Sequence, residues 1–241
     1  ASPGARLENE VSMYLNSEIS KITNVNEVFE ALAKGFSRYK DILDQSHVSS
    51  GPALVDVLDK LIRMDVVDKI TPINDENNRK KSGYFISDNL SLFYYKYIFR
   101  NSSRMNIMDS DIFYDRYIAE DFETKYVPKV FEDVCRQYLI RRNRKGLMDE
   151  IFEKIGKYYY DDPVAKKNGE FDIVTQDDKG YIFYEAKFRK EPVTEQMIEN
   201  EIVQVKQTGL ECYKYGFFSK SGFACEEREN RSLIELKELY R

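Results

Sequence analysis

The chain has 241 residues, a formal net charge of -5 and 42% hydrophobic residues, a composition typical of one or two globular domains. The sequence contains no long apolar run, so we expect no membrane partner. The cysteine usage fits a reduced compartment, so we expect a cytoplasmic location. Three cysteines without a C-x-x-C pair exclude a disulfide scaffold and a zinc knuckle, and a single histidine, His47, leaves little room for histidine-based catalysis. Chemistry in this chain must therefore use carboxylates and lysine.

The first part of the chain predicts three helices and two strands. Apolar residues recur at helical spacing over 25–33, a short helix follows over 39–43, and Ser50 with Pro52 is typical of the start of a third helix. Residues 66–70 and 84–86 have the composition of short strands on either side of a polar loop. Three helices followed by a two-stranded ribbon are the plan of a winged helix-turn-helix domain.

The loop between these strands carries three consecutive basic residues, Arg79, Lys80 and Lys81, where a DNA-binding wing would contact phosphates. The third helix is less favourable to DNA, because Asp56 and Asp59 lie on its outward face. A winged helix that serves as a spacer or a protein-interaction surface therefore stays open as an alternative.

Residues 90–99 are dense in aromatic side chains, which we interpret as a connecting core helix rather than a base-stacking platform. The polar stretch 100–111 that follows predicts a linker. We therefore expect a winged helix-turn-helix domain with its aromatic connecting helix over 1–108, and a second domain over 109–241.

The second domain predicts alternating helices and strands. An amphipathic helix runs from Phe131 to Leu139, with Glu132 at the edge of its apolar stripe and the basic residues Arg141, Arg142 and Arg144 behind it. Strands are predicted over 157–160, 170–176, 181–188 and 213–219, a helix from Thr194 to Thr208, and a final apolar run over 233–239.

The second and third of these strands form a predicted hairpin. A turn centred between Asp178 and Lys179 pairs residue 176 with 181 and 174 with 183, which places Asp172 opposite Glu185 with their Cβ atoms about 5 Å apart. Lys187 lies on the same face as Glu185. Two carboxylates beside a lysine suit Mg²⁺ or Mn²⁺, with the ammonium placed to orient water. A solvated charge ladder on an ordinary hairpin is the structural alternative.

The order helix, three strands, helix, strand is similar to the core of the restriction-endonuclease-like fold. Within it, Glu170-Phe171-Asp172 and Glu185-Ala186-Lys187 resemble the PD-(D/E)XK nuclease signature, with Phe171 in place of the usual proline. This resemblance implies that Asp172 and Glu185 hold the metal with the Ala186 carbonyl, and that Lys187 positions the attacking water. It further implies Glu132 as an added acid, and Gln204 and Lys206 as substrate contacts on the following helix.

From about residue 25 onward, the chain resembles the C-terminal region of archaeal and bacterial AAA/STAND-like ATPases, which pairs a winged helix with a nuclease-like domain of unknown function. The motifs that carry this resemblance include Ile86-Ser87-Asp88, Phe93-Tyr94 and Ile155-Gly156-Lys157-Tyr158. In that family an ATPase domain comes first, and this sequence has no G-x-x-x-x-G-K-[ST] motif. Because the chain also opens on Ala1 rather than Met, we expect a fragment whose ATP-binding domain is missing.

The resemblances imply Mg²⁺- or Mn²⁺-dependent hydrolysis of DNA, assisted by the winged helix and driven or gated by the ATPase. Homo-oligomerisation is compatible with this expectation. Two alternatives stay open: a non-catalytic module that binds DNA or a protein on a nuclease-like scaffold, and a pair of domains that only regulate the ATPase by packing against it.

Overall fold

The computed structural model describes residues 22–78, 81–162 and 167–240, and the chain forms two compact units. Within the described residues, the first unit comprises 22–70 and 81–123, and the second comprises 71–78 and 124–240. The helices that directly follow the expected domain boundary at 108/109 thus lie with the first unit.

The described part of the first unit starts with three helices: α1 (Val25–Ala33), α2 (Tyr39–Ser46) and α3 (Gly51–Arg63). The predicted start of α3 is confirmed, because the Ser50 side chain accepts a hydrogen bond from the Ala53 amide at 3.4 Å and Pro52 lies in the first turn. Buried apolar side chains from α1 and α3 form the centre of this unit: Val28, Phe29, Leu54, Leu58 and Leu61.

A two-stranded antiparallel ribbon follows, made of β1 (Val67–Ile70) and β2 (Gly83–Ile86). Val67 pairs with Ile86, so the apolar ends of both strands join the helical core. Of the three basic residues expected on the wing, Arg79 and Lys80 lie outside the described residues. Lys81 precedes β2 and is half-buried.

The aromatic segment is helical but irregular. It begins as α4 (Asn89–Phe93), continues as a π-helical turn (Tyr94–Ile98) and ends in a 3₁₀ turn (Phe99–Asn101). Tyr95 is buried and stacks on Phe29 with ring centroids 4.6 Å apart, and its hydroxyl donates to Asn26 Oδ1 at 2.7 Å. These aromatic side chains therefore belong to the core, as predicted.

The expected linker over 100–111 is instead largely helical. It contains α5 (Ser102–Met105) and the start of α6 (Ser110–Tyr117), and the short α7 (Ala119–Asp121) and a π-helical turn (Phe122–Tyr126) follow. Met105 and Phe113 are buried, and the Asp109 side chain accepts from the Asp111 amide at 2.9 Å. A polar composition here reflects a capped, half-exposed helical segment rather than a linker.

The second unit is a mixed α/β structure around a five-stranded sheet. Its elements are α8 (Val127–Arg144), β3 (Lys154–Asp162), β4 (Lys167–Asp177), β5 (Gly180–Lys187), α9 (Glu195–Gln207), β6 (Cys212–Ser219), β7 (Arg231–Glu235) and a 3₁₀ turn (Leu236–Glu238). The spatial order is β3-β4-β5-β6-β7, with antiparallel pairing up to β5 and parallel pairing beyond it. Among the described residues, no helix is both long and apolar enough to cross a membrane.

In the described part of the chain, one helix packs on each face of this sheet. Phe171, Val174, Phe183 and Phe217 pack with Ile198, Ile202 and Val205 of α9. Ile173, Ile182, Tyr184 and Phe218 pack with Phe131, Cys135 and Leu139 of α8. The near-continuous apolar runs of β5 and β6 are explained by this burial on both faces.

The outer edge of β3 is covered by the segment 71–78. The Ile73 amide donates to the Lys157 carbonyl at 2.7 Å, and the Asn74 side chain bonds both the carbonyl (2.8 Å) and the amide (3.2 Å) of Tyr159. Ile73 is buried in the α9-side core, and Glu76 pairs with Lys154 at 2.9 Å. Segment 71–78 therefore pairs with outer backbone groups of the edge strand β3 that would otherwise be left unpaired.

Candidate active site

The predicted register of the β4–β5 hairpin is confirmed for the five residue pairs from Ile173 with Tyr184 to Asp177 with Gly180. Continuing that register by one residue aligns Asp172 with Glu185. The two carboxylates thus come from neighbouring positions on β4 and β5, at the end of the hairpin away from its turn.

Asp172 lies in a β-bulge. Gly156 pairs with Val174 and Tyr158 with Phe171, so Asp172 and Ile173 of β4 together face the single residue Lys157 of β3. As a result, Phe171 and Val174 contact the same core although they are three residues apart. Bulges redirect side chains near active sites, and this one turns Asp172 toward Lys157.

Lys157 binds two acids. Its Nζ lies 2.6 Å from Asp172 Oδ1 and 2.7 Å from Glu170 Oε1, and its side chain is only 9% exposed. Burial would lower the pKa of Lys157, but Asp172 and Glu170 outweigh burial and raise it. The group therefore stays an ammonium ion, buried beside its counter-ions.

The first turns of α8 add a second lysine and a further acid to Asp172. Lys129 Nζ lies 2.5 Å from Glu132 Oε2 and 3.2 Å from Asp172 Oδ1. Residues three apart on a helix are neighbours, so α8 presents Lys129 and Glu132 together. The structure thereby brings the predicted Glu132 next to Asp172, with Lys129 between them.

Glu185 and Lys187 extend to the α9 side of β5. Lys187 Nζ lies 2.7 Å from Glu185 Oε1 and 2.6 Å from Glu201 Oε1 of α9. Ala186 lies between them, packs against the α8-side core and aligns with Phe218 of β6. The alternation of the strand thus separates the charged pair from the apolar residue between them.

The carboxylates differ in their electrostatics. Burial raises the pKa of Glu185 to about 6, reinforced by Glu201 and Asp172 and opposed by Lys187. Burial and Asp172 raise the pKa of Glu132 against the effect of Lys129. For Asp172, burial is outweighed by Lys157 and Lys129, which lower its pKa. Carboxylates whose pKa is shifted by burial and by neighbouring charges are typical of functional sites.

The donor set is compatible with a hard divalent cation. Asp172 and Glu185 offer carboxylate oxygens, the ligand type that Mg²⁺ and Mn²⁺ take. A cation would favour the charged form of Glu185, which burial and, to a lesser extent, Glu201 and Asp172 disfavour. Within the part of the chain that is described, no three or more His, Cys, Asp or Glu side chains form a ready metal-binding group. Lys157 and Lys187 pair with Asp172 Oδ1 and Glu185 Oε1, so a cation bound to those two oxygens would replace these ion pairs.

The predicted basic residues Arg141, Arg142 and Arg144 lie in the last turn of α8, about 20 Å along the helix axis from Lys129. Arg141 donates to the Leu239 carbonyl at 2.7 Å and Arg142 to the Leu147 carbonyl at 2.6 Å, and both guanidinium groups lie over the Tyr138 ring. Arg144 is exposed at the last residue of α8. The structure does not bring these arginines together with Asp172.

The two residues of α9 predicted to contact substrate, Gln204 and Lys206, lie on different sides of the helix. Gln204 Nε2 donates to the Tyr160 hydroxyl of β3 at 3.2 Å, one helical turn after Glu201. Lys206 is exposed and lies about 200° around the helix from Gln204. Of the pair, only Gln204 lies on the side of α9 that carries Glu201.

Sequence reasoning missed Lys129, Lys157 and Glu201 as site residues. Lys129 could have been found from its spacing of three from Glu132 on a helix. Glu201 could have been found in the same way from Gln204. Lys157 had no such signal, because a bulge on the partner strand is invisible to the two-residue alternation that predicts facing.

Comparison with known proteins places these residues in a recognised segment. Residues 94–203 match the family DUF234, described as archaeal and bacterial proteins of unknown function. Glu132, Asp172, Glu185, Lys187 and Glu201 all fall within that segment.

One relative is the uncharacterized protein MJECL04 of Methanocaldococcus jannaschii, which is 27% identical over 231 residues. The alignment covers 93% of this chain and 49% of that protein, so the chain spans about half the length of this relative. Among solved structures, protein VC1899 from Vibrio cholerae aligns over 97% of this chain and 53% of its own, with 10% identity and a TM-score of 0.28. A TM-score this low does not establish a shared fold.

Proposed function

We propose that the second unit is a nuclease of the PD-(D/E)XK type, with a restriction-endonuclease-like fold, that hydrolyses DNA phosphodiester bonds with Mg²⁺ or Mn²⁺. The observation that carries this proposal is the β4–β5 register, whose last pair is Ile173 with Tyr184, so that Asp172 and Glu185 take the next position on the two strands and Lys187 follows two residues after Glu185. The element order from α8 to β6 supports it further.

Asp172 and Glu185 would hold the cation together with the Ala186 carbonyl, and Glu132 would be an additional acid beside Asp172. When bound, the metal supplies positive charge that stabilises the phosphorane-like transition state. Lys187 is kept protonated, because Glu185 and Glu201 outweigh burial and raise its pKa. Its ammonium group would donate a hydrogen bond to the attacking water and orient it, and Gln204 would contact the substrate from α9.

The first unit would assist binding as a winged helix. Helices α1 to α3 and the two-stranded ribbon support that assignment, and the loop containing Arg79, Lys80 and Lys81 would contact phosphates. On α3, Asp56 is neutralised in part by Lys60 at 2.6 Å. We further propose that both units work in the cytoplasm as the C-terminal part of a AAA/STAND-like ATPase, which would bind ATP in a preceding domain and could assemble as a homo-oligomer.

Plasmid nicking tests the nuclease proposal. The wild-type chain should nick supercoiled DNA in Mg²⁺ or Mn²⁺ and not in EDTA, and Asp172→Ala and Lys187→Ala should each lose at least about 100-fold in rate. Asp178→Asn and Lys190→Ala change exposed residues of matched charge and should cleave like the wild type. Cleavage that survives both site substitutions would refute the assignment.

The contacts of Lys157 and Lys129 with Asp172 favour a second, non-catalytic function. Asp172 Oδ1 is bound by both Lys157 and Lys129, a saturated ion-pair arrangement that suits a structural network as well as a catalytic one. The second unit would then be a scaffold, and the chain a non-catalytic module that binds DNA or regulates the ATPase. Salt-sensitive DNA binding that persists in Asp172→Ala, without cleavage, and disappears when Arg79, Lys80 and Lys81 are neutralised would favour this function.

A further inference from the structure

Two ammonium groups converge on one oxygen atom of the candidate site. Lys157 Nζ lies 2.6 Å and Lys129 Nζ 3.2 Å from Asp172 Oδ1. Like charges that share one acceptor repel each other, so the arrangement depends on the other acids that each lysine binds. These are Glu170 for Lys157 and Glu132 for Lys129.

The two lysines differ in how readily they can leave. The Lys157 side chain is 9% exposed and is held by the sheet, whereas that of Lys129 is 45% exposed on the first turn of α8. If Lys157 moved away, Glu170 and Asp172 would lose the nearly buried ammonium group that neutralises them. Lys129 can rotate about its flexible stem into water, where its ammonium is well hydrated, and exposed ion pairs of this kind are weak.

We propose that Lys129 is a displaceable counter-cation of this site, which neutralises Asp172 and Glu132 and rotates away when a divalent cation binds Asp172. Lys157, in contrast, stays in place and holds Asp172 in the bulge. This inference rests on the proposed function only in its premise that Asp172 takes part in holding a divalent cation. Its consequence is that Lys129 competes with the metal, so removing its charge should tighten metal binding.

Calorimetric titration of the whole chain with Mn²⁺ tests the proposal without any measurement of cleavage. Lys129→Gln should bind Mn²⁺ about tenfold more tightly than the wild type, since a nearby unit charge no longer opposes the metal. Lys190→Gln removes an equal charge from an exposed position and should bind like the wild type. Asp172→Asn should lose most of the binding in either background.

The outcomes separate the two proposals. If the wild type binds Mn²⁺ and Lys129→Gln binds it equally or more weakly, Lys129 is not a competitor, while the proposed metal site stands. Equal tightening in Lys129→Gln and Lys190→Gln would show a general charge effect and would also overturn the inference. If neither the wild type nor Lys129→Gln binds Mn²⁺, both the inference and the metal-dependent function fail. Thermal melting of each variant establishes that it is folded.

Discussion

Lys157 and Asp172 face each other across a β-bulge, with 2.6 Å between Nζ and Oδ1. The same ammonium binds Glu170 of β4, so one buried lysine holds two carboxylates that flank Phe171. Because Phe171 lies in the core beneath α9, this ion pair joins the position of the candidate catalytic acid to the packing of the sheet.

Replacing Lys157 with Met should lower the free energy of unfolding by about 1–3 kcal/mol, because Asp172 and Glu170 would lose their shared, nearly buried donor. Urea denaturation followed by circular dichroism measures this change. Lys190→Met, at an exposed lysine, should change stability by less than about 0.5 kcal/mol. A Lys157→Met chain as stable as the wild type would mean that the ion pair does not hold the bulge.

Glu185 should make stability depend on pH in EDTA. Burial, with Glu201 and Asp172, raises its pKa from 4.5 to about 6 in the folded chain, so the folded state binds this proton more tightly than the unfolded state. The stabilisation that comes from the protonated Glu185 is therefore complete below pH 4.5, and it is lost as the pH rises through about 6. The difference in free energy of unfolding between Glu185→Gln and the wild type should therefore rise by about 2 kcal/mol, in favour of Glu185→Gln, from about pH 4 to about pH 7.5.

Urea denaturation of both proteins across that pH range measures this gain. Glu211→Gln, at an exposed glutamate, is a matched control and should show no such pH-dependent difference. A constant stability difference between Glu185→Gln and the wild type would contradict the raised pKa.

Asn74→Ala should destabilise the second unit by about 1–2 kcal/mol, because the side chain satisfies both the carbonyl and the amide of Tyr159 on the outer edge of β3. Hydrogen exchange should also become faster at the Tyr159 amide. Asn200→Ala, at an exposed position of α9, is the matched control. If hydrogen exchange at the Tyr159 amide stayed unchanged, water would be replacing the Asn74 side chain with no loss of stability at that strand edge.

Arg231→Met should be the most destabilising of these substitutions, at about 3 kcal/mol. The Arg231 side chain is 2% exposed, and its Nη1 and Nη2 each lie 3.0 Å from a carboxylate oxygen of Glu195 at the start of α9. Arg231→Lys keeps the charge without the planar fork and should be intermediate. Thermal unfolding ranks the variants, with Arg228→Lys as an exposed control that should melt near the wild type.

The sequence contained enough information for the hairpin and its register. The turn at Asp178 and Lys179 fixes which residues of β4 and β5 face each other, since strand pairing has a strict period of two. It did not contain enough for the environment of Asp172. The bulge inserts a residue into that period, so the contact with Lys157 depends on tertiary structure rather than on spacing.

Elsewhere, polar composition misled the prediction. Residues 100–111 look like a linker because few of their side chains are apolar, but Met105 is buried and short capped helices form around it. The start of β7 was missed for the same reason. Arg231 is charged and therefore looks exposed, whereas Glu195 neutralises it in the interior.

The second unit is discontinuous in the chain, since residues 71–78 complete a sheet whose strands begin at Lys154. A shortened chain that begins at residue 109 or 124 would contain all five strands but lack Ile73 and Asn74. The outer backbone groups of β3 would then be open to pairing with another strand. Such a chain would be expected to self-associate through β3, and a dimer observed with it would reflect the missing segment rather than the native assembly.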